Sequence, residues 1–184
     1  KGFRFEYSLK KTIGRVMGTQ GNFLVMLRAH AYIVAMGGDG LTAATERAVL
    51  NANYVMSRVR DVLDVPYEGW RKHEFVGSAE RLAHEKGIHA TDIAKYLLDR
   101  GIHAPTIYFP LIVHEALMIE PTETESKETL DLFADTLIKI AAEAHSNPEL
   151  LKEAPHNTPV GRLDEVKAAK ELVLCCGVSA SDRG

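Results

Sequence analysis

From Phe23 to Met36 the sequence FLVMLRAHAYIVAM is apolar at almost every position, interrupted by Arg28 and His30. A helix apolar on nearly all sides is expected to be buried against several neighbours, and Gly37-Gly38 is expected to stop it. A second helical stripe follows from Leu41, with Ala44, Ala48, Ala52, Val55, Val59 and Leu63 at spacings of three and four. The short Gly-Gly-Asp-Gly connection predicts that the two helices form an antiparallel pair. Pro66 to Lys72 reads as a loop, and HEFVGSA, from His73 to Ala79, as a short strand. Thr91 is expected to cap a compact helix with Asp92 in its first turn, Ile93/Leu97 and Ala94/Leu98 as i,i+4 pairs, and Gly101 as its stop. Pro105 prevents its resumption. TIYFPLIV, from Thr106, and ALMIE, from Ala116, are β-branched and aromatic runs of strand length. Thr122 with Glu125 forms a Thr-x-x-Glu capping box ahead of a long helix with Leu130, Phe133, Ala134, Leu137, Ile138 and Ala141 on one face. Asn147-Pro148 ends or kinks that helix. PELLKEAP makes a short further turn, and Asp164 and Glu165 begin a last short helix.

Strands separated by helices, with helical segments in front, predict an α+β or open α/β sandwich. The 184 residues suit one medium domain, and the hydrophobic content of 46% and charged content of 26% are ordinary for a globular chain. A net charge of −3 with dispersed basic residues argues against nucleic acid and anionic membrane as partners. The longest apolar run is too short to span a bilayer comfortably. With no signal peptide ahead of it, a soluble cytoplasmic protein is expected. Cys175 and Cys176 are adjacent, which disfavours a bridge between them and fits free thiols in a reducing compartment. The chain opens KGFRFEYS without an initiator Met, an extended apolar/polar pattern that suggests a piece of something longer.

Eight histidines raise the question of a metal. The His-Glu-x-x-His pattern needs both imidazoles on one helix face. His89 follows His84 one residue late and after Gly87, and the pairs His73-Glu74 and His114-Glu115 have Gly77 and Met118 where a second histidine belongs. A metal site is therefore not expected. The glycine clusters match neither the dinucleotide fingerprint nor the phosphate-binding loop, and turn or cap roles suffice for Gly37, Gly38 and Gly40. Gly21 and Asn22 open the most apolar helix, where free backbone N–H groups could receive an anion, although a structural role is favoured. No serine elbow, Cys/His arrangement or buried-lysine context stands out. His73-Glu74-Phe75 offers groups able to move protons or hold a substrate from a sheet edge. Helix capping accounts for Thr122 to Glu125 but leaves the Glu120 carboxylate, at the end of an apolar strand and before a proline, without a partner.

Four stretches together resemble the C-terminal region of a known family. They are TIGRVMGTQGNFLVMLRAHAYI (Thr12 to Ile33), HEFV (His73 to Val76), the long block from Asp92 to Phe133, and NTPVGRLDEVKAAK (Asn157 to Lys170). The family is glycine dehydrogenase (decarboxylating), the P-protein of the glycine cleavage system, and the wording YFPLIVHEALMIEPTETES is similar to subunit 2 of its split bacterial and archaeal form. The resemblance implies the small C-terminal domain of a fold type I pyridoxal-phosphate enzyme, over residues 1–174 with a connecting segment over about 1–20, and a flexible tail over 175–184. It implies decarboxylation of glycine on pyridoxal phosphate and transfer of the aminomethyl group to the lipoyl arm of the H-protein. The family's Schiff-base lysine lies in a His-Lys-Thr motif that this sequence lacks, so no catalytic or cofactor-binding residue, bound cofactor or activity is expected of the chain alone. Implied partners are the large cofactor-binding domain of the same subunit, subunit 1 and lipoylated H-protein. The residues expected to line the approach for glycine or the lipoyl arm are His73, Glu74, Phe75, Glu120, Pro121, Thr122 and Glu123, with Gly21 and Asn22 nearer the large-domain interface. Arg15, Arg71 and Arg100 are available to grip a carboxylate, but none lies in an assignable motif. Two alternatives are a non-catalytic interaction domain of the same fold and the small domain of another fold type I enzyme.

Overall fold

The computed structural model describes residues 2–4, 6, 9–14 and 21–174. The expectations for Arg15, the Cys175-Cys176 pair and the tail lie outside these residues. Contacts divide the chain into two units, residues 1–44 and 45–184.

In the first unit Asn22 opens helix α1 (Phe23–Val59): the Val25 N–H donates to its side-chain Oδ1 at 3.4 Å and the Met26 N–H to its carbonyl at 3.1 Å. Two features differ from expectation. The Gly-Gly-Asp-Gly connection is not a loop, because only Gly37 leaves helical geometry, at φ 63° and ψ −178°. That left-handed φ is open to glycine at little cost, so the helical run kinks and continues where a helix–loop–helix connection was expected. The apolar segment is also not buried. Every residue from Phe23 to Asp39 is exposed, with Leu24 at 68% and Val34 at 67%. An all-round apolar helix signals a burial partner, and the described residues do not supply one.

The second unit holds the core. The remainder of α1 buries Ala52, Val55 and Val59, and the predicted stripe runs on into Leu63. After an irregular stretch come β1 (Phe75–Ser78), α2 (Glu80–Lys86), α3 (Ala90–Asp99), β2 (Thr106–Ile107), β3 (Ala116–Ile119), α4 (Lys127–Ser146), α5 (Pro148–Lys152) and α6 (Glu165–Lys170). The sheet is antiparallel in the order β1-β3-β2, with Phe75 opposite Ile119, Ser78 opposite Ala116 and Thr106 opposite Met118. Helices α1, α3 and α4 supply most of the apolar cluster that meets Phe75, Leu117 and Ile119 of the sheet. The result is α+β. Gly77 permits a close approach, since a Cβ there would lie 3.1 Å from Leu63 Cδ1.

Several element boundaries need correction. The N-cap of helix α3 is His89, not Thr91: the Asp92 carboxylate accepts the His89 N–H at 2.8 Å, the return half of a capping box. Gly101 closes it at φ +69°, as expected of a C′ glycine. Helix α2 was not anticipated, although Gly87 ends it in the left-handed conformation. Of TIYFPLIV only Thr106–Ile107 is strand. Tyr108 turns into a left-handed conformation at φ 57°, and Pro110 has no N–H to continue a ladder. Helix α4 is capped by Ser126, whose hydroxyl accepts the Thr129 N–H at 3.2 Å. Thr122 does not cap it, because its hydroxyl bonds that of Thr124 at 2.7 Å while Glu125 N–H closes a turn onto the Thr122 carbonyl at 3.2 Å. On α4 Ile138 faces solvent, and Ile140 and Ala144 fill the core with Leu130, Ala134 and Leu137. Asn147 and Asp164 stand at the expected ends of α4 and start of α6.

Two buried carboxylates on α3 fasten the segment that follows α5. Asp99 accepts the backbone N–H groups of His156 and Asn157 at 2.6–2.8 Å and pairs with His156 Nδ1 at 2.8 Å. Burial opposes its charge, but these hydrogen bonds outweigh that and hold the carboxyl below its ordinary range. Asp92 pairs with Arg162 at 2.6 Å, and the Arg162 Nε donates to the Ala154 carbonyl at 2.9 Å. Among the described residues no helix is long and apolar enough to cross a membrane.

Candidate functional site

Antiparallel pairing of β1 with β3 sets the residues before Phe75 beside those after Ile119. His73 and Glu120, 47 positions apart in the numbering, therefore meet at one end of the sheet. His73 Nε2 lies 4.0 Å from Glu120 Oε1 and 4.0 Å from Glu74 Oε2, all three side chains being about half exposed. These separations suit an ion pair with an imidazolium and are too long for hydrogen bonds. Two of the expected residues turn inward. Phe75 is 1% exposed and belongs to the core, and Pro121 is buried. A strand's alternation sends successive side chains to opposite faces, so Phe75 cannot share the surface with Glu74. Glu123 is half-buried and Thr122 exposed in the turn that follows. Gly21 and Asn22 belong to the other unit, where Asn22 opens α1.

Alongside Glu120 a cleft of about 580 Å³ runs between residues 101–106, the end of β3 and the first turns of α4. Ile102, Met118, Leu132 and Phe133 give it apolar walls, and His103, Glu120 and Glu125 are its titratable lining.

One face of α1 secures this region to α4. Arg58 pairs with Asp131 and with Asp135, each at 2.6 Å, Lys127 pairs with Asp131 at 2.6 Å, and the Tyr54 hydroxyl also bonds Asp131. Lys127, then the Tyr54 hydroxyl, hold the Asp131 carboxyl below its ordinary range. The hydrogen bond to Tyr54, with the two aspartates, holds the Arg58 guanidinium above its own. One turn before Tyr54 on the same face, Asn51 Nδ2 donates to the Thr122 carbonyl at 2.9 Å. Sequence reading missed Asn51, Asn53 and the cleft. The available signal was the presence of two asparagines inside a helix, which they do not favour.

The donor set at the sheet end is one imidazole with several carboxylates. It suits cationic or hydroxyl-bearing groups and repels a phosphate ester, so these residues do not fit as holders of a phosphorylated cofactor. Among the described residues no three His, Cys, Asp or Glu side chains converge as metal ligands.

The family described as glycine dehydrogenase, C-terminal domain, matches residues 44–157, nearly the start of the packed second unit. A protein of Thermotoga petrophila named probable glycine dehydrogenase (decarboxylating) subunit 2 is 57% identical over 165 residues, 90% of this chain and 35% of its own length. Proteins with the same name from Thermosipho africanus and Chlorobaculum tepidum are 57% and 54% identical, over 94% and 95% of this chain and 36% of their own lengths. The aligned stretch exceeds the family match and the length of the packed unit, so the similarity runs into the residues before it. The chain spans about a third of the length of these relatives.

Proposed function

Because the chain belongs to the glycine dehydrogenase C-terminal domain family, we propose that it serves as the C-terminal part of a glycine dehydrogenase (decarboxylating) subunit 2. In that reading it works in pyridoxal-phosphate-dependent decarboxylation of glycine, with the aminomethyl group passed to the lipoyl arm of an H-protein. The fold is that of the small domain of a fold type I enzyme. The cofactor is held by the larger part of the subunit, outside this chain, and subunit 1 completes the enzyme. Two features support that division: the absence of a His-Lys-Thr sequence here and the acidic donor set around Glu120. The chain alone is accordingly inactive.

The observation that carries the site assignment is the meeting of His73, Glu74 and Glu120 at the sheet end, beside an apolar-walled cleft. These side chains line the approach used by glycine or the lipoyl arm. The carboxylates attract a substrate ammonium group, and His73 Nε2 can exchange a proton with a group held between it and Glu120. General acid–base contributions of this kind are typically about a hundredfold or more. His73→Ala and Glu120→Gln in the intact enzyme are each expected to lower the rate of glycine–bicarbonate exchange at least about tenfold. Wild-type rates in both variants would remove the assignment.

A further inference from the structure

Beyond the last ladder pair, Phe75 with Ile119, the sheet no longer fixes the chain, and His73 and Glu120 both lie beyond it. Pro66 to Lys72, leading to His73, belongs to no helix or strand, and neither does the stretch from Glu120 to Glu125. Something else must hold them if the two side chains are to meet.

Asn51 and Asn53 meet that need from positions two apart on one helix turn, one on either side of Ala52. Asn53 is buried, and a buried amide is costly unless its polar atoms are bonded. Its Nδ2 donates to the Val49 and Arg71 carbonyls, both at 2.7 Å, and its Oδ1 accepts the Arg71 N–H at 2.9 Å. One side chain thus takes both backbone groups of Arg71, two residues before His73. Asn51 Nδ2 takes the carbonyl of Thr122, two residues after Glu120. Asparagine competes poorly for helix interiors, and no property of the helix itself calls for two of them here.

We propose that Asn51 and Asn53 are positioning residues of the candidate site. One turn of α1 fixes the path into His73 and the path out of Glu120, so that the two groups face each other across the end of the ladder. That role presupposes that His73 and Glu120 face the substrate, as inferred above.

The full-length subunit, assembled with its partner subunit, provides the test. Asn51→Ala removes one hydrogen bond from a half-buried position and is expected to leave the fold intact. Its kcat for glycine–bicarbonate exchange is expected to fall on the order of tenfold to a hundredfold, the penalty of a small misplacement. Combined with Glu120→Gln, the loss is expected not to multiply, because both changes disable one unit. Amide hydrogen exchange over residues 120–123 is expected to speed up in Asn51→Ala, and over residues 71–75 in Asn53→Ala. If Asn53→Ala does not fold, Asn51→Ala carries the test alone. Fold-losses that multiply in the double variant, or unchanged exchange over residues 120–123, would overturn the positioning role. If His73→Ala and Glu120→Gln are both silent, the substrate-facing reading fails. The amide exchange of Asn51→Ala then still decides whether Asn51 holds the path out of Glu120: acceleration sustains that hold, and no change removes it.

Discussion

Asp99 shows how a single side chain can make part of a fold acid-sensitive. It is buried, at the end of a helix whose dipole disfavours a negative charge there. It stays ionised through the N–H groups of His156 and Asn157 and the His156 ring. A carboxyl with a lowered folded-state pKa stabilises the fold above its unfolded value, about 3.9. That contribution is lost as pH falls from there through the lower folded value. Asp99→Asn should therefore lower stability at neutral pH by about 2 kcal/mol, as for hydrogen bonds to a charged group, and flatten the acid limb. Denaturant titrations of both proteins from about pH 7 to about pH 2 check this. Parallel curves at all pH values would contradict it.

At the scale of elements, the start of α4 separates the cap read from the sequence from the cap the fold uses. The sequence pattern points to Thr122, but it is Ser126 that bonds a first-turn amide. Ser126→Ala should cost roughly 1 kcal/mol, and Thr122→Ala much less, because its carbonyl, not its hydroxyl, carries the contact to Asn51. Urea midpoints of the two variants would separate these outcomes. Legibility follows the same line. Periodicity placed α3, α4 and the buried stripe Ala52, Val55, Val59, because burial repeats along the chain, while the strand-length runs HEFVGSA and ALMIE contain the observed strands Phe75–Ser78 and Ala116–Ile119. It could not choose between neighbouring hydroxyls at a cap, shorten TIYFPLIV after Ile107, or detect the seven-residue α2. Those outcomes turn on local backbone geometry and short-range hydrogen bonds, such as the left-handed Tyr108 and the Thr122–Thr124 hydroxyl pair, which periodicity does not encode. The candidate site was half legible: HEF and EPTE could each be singled out, but only strand register unites His73 with Glu120 and turns Phe75 into the core. Asn51 and Asn53 stand out only as asparagines inside a helix, a signal that does not say which backbone groups they bond.

For the molecule as a whole, the packed unit and the family match nearly coincide at their start, while the apolar helix before Gly37 lies exposed. If Leu24 and Val34 have no neighbours in this chain, charging them is harmless to it. Leu24→Lys with Val34→Lys should leave the thermal midpoint within about 2 °C, the usual range for surface changes, and lower the binding of an apolar dye. A clear fall in the midpoint would mean that these side chains are buried in the chain as it stands. In a full-length subunit whose remaining part covers this helix, the same pair should be costly.

The two carboxylates of α3 bear on where this chain can be shortened. Asp99 is satisfied by residues 156 and 157, whereas Asp92 waits for Arg162. The family match stops at residue 157, between the two fastenings. A chain trimmed at that boundary would keep the first clasp and open the second, leaving a buried carboxylate without its cation at the start of α3. Arg162, the farther fastening, therefore lies five residues beyond the end of the family match.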